Sequence, residues 1–166
     1  MTALSVRVAG VEDAAAVEQV LQASYPALMA AAYDRELLTR VLPLITRANP
    51  RLLASGRYYL CEAEGLAVGC GGWSPERPGS VEVEPGIAHI RHFATRPEWT
   101  GRGVGGALYR RCEDAARAAG VREFECYASL NGEAFYAALG FRRVRPIDVP
   151  MAGGLSLPSI LMNRAL

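Results

Sequence analysis

Residues 100–106 of this chain read Thr-Gly-Arg-Gly-Val-Gly-Gly, and no other stretch restricts the fold so much. Four glycines in seven residues leave successive backbone N–H groups unshielded by side chains. A strand-like run precedes the turn and a long run with helical periodicity follows it. The turn therefore opens a helix, whose free N–H groups and positive dipole end favour an anion. Arg102 adds a full positive charge with a forked set of donors. The stretch reads as a cradle for phosphate or pyrophosphate, the plain alternative being a turn that only redirects the chain.

The remaining elements follow from periodicity. Residues 4–9 alternate as a short strand, and Val11, Ala14, Val17, Val20, Leu21 and Ser24 fall at helical spacing. Pro26 is expected to reset the chain before a second helical stretch over residues 27–48, which Pro43 should break or kink. Residues 57–64 and 66–74 read as two strands of a hairpin turning at Gly65, and residues 75–86, rich in Pro and Gly, as an exposed loop. A strand over 87–95 leads to the glycine turn. Its helix carries Val104, Leu108, Cys112 and Ala116 on one face and stops at Gly120. A strand over 121–127, a short helix over 131–139 and strands over 141–147 and 157–163 complete the chain. The order implies an α/β layered domain whose sheet is largely antiparallel, with one parallel pair where the glycine-turn helix crosses over.

A chain of 166 residues suits one domain over residues 1–166. Its 18 basic and 17 acidic residues leave a net charge of +1, which offers no global attraction to nucleic acid or membrane. The start lacks a basic region followed by an apolar one, so a cytoplasmic location is expected. Cys61, Cys70, Cys112 and Cys126 are never two residues apart and read as small core residues in a reducing compartment. His89 and His92 make a poor metal pair, and no metal is expected.

Gly101, Gly103 and Gly106 satisfy the dinucleotide pattern G-x-G-x-x-G, with Glu125 downstream as a ribose acid. The context disagrees, because four residues separate the strand from the turn and the strand carries His89, Arg91 and His92. No Lys-Ser or Lys-Thr follows the last glycine, which excludes a Walker loop.

The run from Phe93 to Leu108, followed by Ala134-Phe135-Tyr136-Ala137-Ala138-Leu139-Gly140-Phe141, resembles the GNAT acetyltransferase superfamily. With the flanking elements the resemblance covers nearly the whole chain. Thr100 stands where that family usually has Gln or Arg, a departure that leaves the backbone cradle in place.

The resemblance implies a GNAT-like layered domain: a mixed, mostly antiparallel central sheet with a splayed parallel strand pair and flanking helices. It implies acetyl-CoA as cosubstrate, with the pyrophosphate on the N–H groups of Arg102, Gly103, Val104, Gly105 and Gly106. The pantetheine arm would pair with Phe93, Ala94 and Thr95, and a bulge N–H there would meet the oxyanion. Asn131 or Ser129 would touch the cofactor, Asn131 being equally a helix N-cap. Tyr136 would protonate the departing thiolate, or else be a packed aromatic beside Phe135 and Phe141. His89 is the base candidate, with a water chain as the alternative. Tyr25, Tyr33, Asp34 and Trp73 are expected near the acceptor.

These implications describe an N-acetyltransferase acting on a primary amine of a small molecule or peptide by direct attack, with a homodimer among the open assemblies. A non-catalytic acyl-CoA-binding or sensing module is the alternative.

Overall fold

The computed structural model describes residues 2–166. Seven strands form one sheet: β1 (Ser5–Val8), β2 (Tyr58–Ala63), β3 (Leu66–Ser74), β4 (Ile87–Thr95), β5 (Glu123–Ser129), β6 (Arg142–Pro150) and β7 (Ser156–Ala165). Their spatial order is β1-β2-β3-β4-β5-β7-β6, and every neighbouring pair is antiparallel except β4 with β5. This is the mixed sheet that the chain order implies.

The β2–β3 hairpin closes on Glu64 and Gly65, at φ 52° and 76°. A two-residue turn with both central residues left-handed matches the twist of the strands it joins.

Five α-helices cover the sheet: α1 (Ala14–Met29), α2 (Arg35–Ile45), α3 (Pro50–Ala54), α4 (Val104–Ala118) and α5 (Glu133–Ala138). Helix α4 buries Val104, Leu108, Tyr109, Cys112 and Ala116 in a core shared with Cys61, Phe124 and Met162. It ends in a Schellman-type cap, Val121 N–H donating to the Ala116 carbonyl at 2.9 Å and Gly120 at φ 84°. In a second core, Val17, Val20 and Leu21 of α1 and Leu52 and Leu53 of α3 meet Leu60, Cys70 and Ala94. Glycine sets how close α4 lies: a Cβ on Gly69 of β3 would stand 2.4 Å from Val104 Cγ1.

The elements depart from the sequence expectation around two prolines. Helix α1 runs through Pro26 to Met29, and α2 contains Pro43. Each proline lies near the C-terminal end of its helix, where the ring forfeits one hydrogen bond but the flanking residues Tyr25 and Met29 still pack. The second helical stretch is thus two helices, α2 capped by Asp34, whose carboxylate accepts from Leu37 N–H at 3.1 Å, and α3 capped by Asn49. Asp34 is exposed and serves that cap.

Candidate active site at the splayed strands

Strands β4 and β5 pair over only three positions, Ile87 with Glu123, Ala88 with Phe124 and His89 with Glu125. Beyond them β5 stays with β7 as far as Ser129, while β4 follows β3. A V-shaped gap opens between them.

On the β3 side the register steps from Cys70 opposite Ala94 to Gly72 opposite Arg91, so β4 carries one extra residue. This is a β-bulge, and His92 within it takes the left-handed conformation at φ 48°. Two phenols hold it. Tyr58 OH donates to the His92 carbonyl at 2.7 Å, and Tyr25 OH donates to the Phe93 carbonyl at 3.0 Å. Because a trans peptide sets N–H opposite C=O, pinning the His92 carbonyl aims the Phe93 N–H away from Tyr58. A Cβ on Gly71 would stand 2.4 Å from the Phe93 ring, so glycine there makes room for the bulge side chain.

The gap continues into a cavity of about 550 Å³, lined from β4 by Ile90, Arg91, His92 and Phe93 and from β5 by Cys126, Tyr127 and Ser129. Tyr25, Tyr136 and the apolar side chains of Met29, Leu157 and Met151 complete much of the wall.

Above the gap, Gly103 precedes α4 at φ 86° with no side-chain cap, and a Cβ on Gly101 or Gly103 would meet nothing within 4 Å. The first intrahelical bond runs from Ala107 N–H to the Gly103 carbonyl, which leaves the N–H groups of Val104, Gly105 and Gly106 without a helical partner. Arg102 stacks over the Trp99 ring at 4.6 Å, and Thr100 Oγ1 donates to the Pro97 carbonyl. A backbone anion cradle thus opens beside the V, a pairing suited to a ligand with a phosphate end and an extended arm.

Tyr136 lies at the cavity with its ring in edge contact with Phe93, Phe135 and Phe141, at centroid distances of 6.3, 5.0 and 5.5 Å. Burial raises its pKa well above the ordinary phenol value, and the nearby Cys126 thiol adds to the effect. The phenol is therefore protonated at neutral pH.

A sequence profile of the Acetyltransferase (GNAT) family matches residues 15–141. The chain belongs to that family. Acetyl transfer is the reaction that defines a GNAT protein, and this chain is an acetyltransferase of GNAT type. Among solved structures, a GCN5-related N-acetyltransferase from Rhodopseudomonas palustris is 24% identical with a TM-score of 0.77, over 100% of this chain and 96% of its own. The PaiA N-acetyltransferase of Thermoplasma acidophilum, solved with coenzyme A, is 16% identical with a TM-score of 0.74, over 99% of both chains. A GNAT acetyltransferase from Brucella melitensis, solved with acetyl-CoA, is 23% identical with a TM-score of 0.56, over 84% of this chain and 83% of its own. No curated protein matches the sequence significantly.

Within this GNAT fold the residues singled out from sequence separate into two groups. Tyr25, Phe93 and Tyr136 line the cavity, Ala94 and Thr95 continue β4 beyond the bulge, and the turn from Arg102 to Gly106 opens α4 with the N–H groups of Val104, Gly105 and Gly106 free of helical partners.

Others lie elsewhere. His89 is 3% exposed at the root of the V and is not on the cavity wall. Its Nδ1 has no hydrogen-bond partner and stands 3.7 Å from Glu125 Oε1, and burial, with Arg77 and Arg91 assisting, lowers its pKa to about 4. Trp73 is packed in the α4 core against Phe124, with Arg57 stacked 5.4 Å from its ring, and so is not an acceptor-site residue. Tyr33 spends its phenol inside the protein, donating to the Pro158 carbonyl at 2.7 Å and accepting from Leu130 N–H at 2.9 Å. Asn131 is exposed in a short 3-10 turn, away from the cavity wall; Gly132, not Asn131, caps α5, while Ser129 does reach the wall.

Sequence reasoning passed over Arg91 and Tyr58. Arg91 left a signal, the one formally charged residue in a largely apolar strand; Tyr58 left none, because only the fold brings it to a bulge 34 residues away.

Proposed function

We propose that this GNAT protein moves the acetyl group of acetyl-CoA to a primary amine by direct attack in a ternary complex. The observation that carries the reading is the adjacency of three parts: the uncapped α4 N-terminus, where a Cβ on Gly105 would stand 2.6 Å from the Phe135 ring, the phenol-pinned bulge, whose Phe93 ring lies 6.3 Å from Phe135, and the splayed β4–β5 gap. The pyrophosphate would lie on the N–H groups of residues 102–106, and the pantetheine arm along Phe93, Ala94 and Thr95. The Phe93 N–H is the donor we assign to the oxyanion, since its orientation is fixed before any substrate arrives. As the amine nitrogen bonds to the carbonyl carbon and the C–S bond breaks, Tyr136 gives its proton to the thiolate.

Among the described residues no carboxylate lines the cavity, and His89 and His92 are both lowered to about 4 by burial, which makes them weak bases. The amine proton therefore leaves to solvent, from which the Tyr136 phenolate recovers one, its raised pKa favouring the return. His89 is reassigned as a buried neutral residue beneath the site.

Calorimetric titration with acetyl-CoA, run beside NADH, tests the reading. Saturable binding of acetyl-CoA without NADH heat is expected. Absence of acetyl-CoA binding, or a preference for NADH, overturns it, while tight binding with no thiol release against any amine favours a sensing module.

A further inference from the structure

Among the residues of the cavity wall, Arg91 is out of balance with its surroundings. The guanidinium is part-buried, one N–H donates to Ser74 Oγ at 2.9 Å, and among the described residues no carboxylate lies within ion-pair distance of it. Four of the five N–H donors in the rigid fork are thus left without a protein acceptor, and a part-buried charge without a counter-ion is costly. Burial lowers the Arg91 pKa, with Glu76 at longer range pulling the other way. Arg77 adds a second cation at the mouth, its side chain exposed and paired with Glu82 at 3.3 Å.

Arg91 precedes the bulge, on the side away from the α4 cradle, so its fork is not taken up by a pyrophosphate bound there. The same space is walled by Met29, Leu44, Ile45, Val149, Met151 and Leu157 and carries no acid. A polycationic amine would meet two guanidiniums and no acid on the cavity wall among the described residues, whereas a small amine with an apolar body and a carboxylate suits both the fork and the apolar wall.

Building on the transferase reading, we infer that the acceptor is an amino acid with an apolar side chain, its carboxylate held by the Arg91 fork. Bidentate pairing sets the amine's orientation, and the apolar wall takes the side chain. Arg91 is then a specificity residue of the acceptor site.

The test compares leucine, methionine and phenylalanine with their amides and decarboxylated amines, reading thiol release from acetyl-CoA. The acids should exceed both counterparts in kcat/KM by about tenfold or more, the usual scale of a charge-assisted pair. Arg91→Gln should cut that preference by a similar factor, chiefly through the KM of the acid, and Arg91→Lys should restore part of it. Acetyl-CoA affinity of each variant reports that it is folded. If Arg91→Gln does not bind acetyl-CoA, the wild-type preference and the smaller loss expected in Arg77→Gln decide. Equal or better turnover of amides or amines, a preference that survives in Arg91→Gln, or no acylated amino acid from a protein that binds acetyl-CoA overturns the inference. Failure to bind acetyl-CoA at all is a different result and removes the transferase reading itself.

Discussion

Two phenols near the bulge have opposite duties, and single hydroxyl deletions separate them. Tyr136 faces the cavity, so Tyr136→Phe should lower kcat on the order of 10² and leave acetyl-CoA affinity within about threefold. Tyr58 faces the His92 carbonyl instead, and Tyr58→Phe leaves that acceptor without its partner. The expected cost is about 1–3 kcal/mol in urea unfolding, accompanied by a lower kcat because the Phe93 N–H loses its fixed direction. At this scale the sequence was legible where backbone geometry dominates, as in the glycine turn that opens α4. It was not legible where a side chain's duty depends on which face of a strand it takes. Trp73 and Tyr33 look like recognition aromatics in sequence, yet one fills the α4 core and the other ties the turn between α1 and α2 to the end of β5 and the start of β7.

Helix α4 brings the cradle to the gap, and two glycines test how its position is set. Gly69→Ala would drive a methyl into Val104 Cγ1, 2.4 Å away, and push the helix off β3. A loss of about 1–3 kcal/mol and a weakened acetyl-CoA affinity should appear together in unfolding and calorimetry. Gly103→Ala meets open space, so its penalty is the left-handed backbone alone, about 1–2 kcal/mol. The helix stays in place in that variant, and acetyl-CoA affinity should fall less than in Gly69→Ala. Element types were readable from period and punctuation: the hairpin at Gly65, the loop over 75–86 and the helix from Val104 to Gly120 all stand as expected. Pro26 was misleading because a proline in the last turn sacrifices only one hydrogen bond, which the packing of its neighbours outweighs. The bulge was implied by the family resemblance alone and has no signature in its own residues, since the left-handed residue is a histidine, not a glycine.

For the molecule as a whole, one buried and one half-buried histidine link folding to acidity. His89 and His92 titrate near 4 in the folded chain against about 6.5 when exposed. As pH falls through that window the unfolded chain takes up protons that the folded one refuses, so stability should drop between about pH 6.5 and 4 and lose nothing further from these groups below it. His89→Asn and His92→Asn should each flatten about half of that histidine-linked slope in urea titrations. Asp13, held near 2 by Arg7 and the Gly10 N–H, adds a separate loss between about pH 3.8 and 2. The layered α/β architecture was legible from the order of elements, whereas the acid response was not, because it arises from burial that only the closed sheet creates. That burial also reaches the sulfur chemistry. All four cysteines are free and enclosed, with the Cys70 and Cys126 thiols pushed up to about 12. A chromogenic disulfide reagent should therefore find almost no reactive sulfur in the native protein at pH 8 and four equivalents once it is denatured. The same reagent that counts coenzyme released during turnover would see a blank background, and any slow rise without substrate would time the unfolding of the protein.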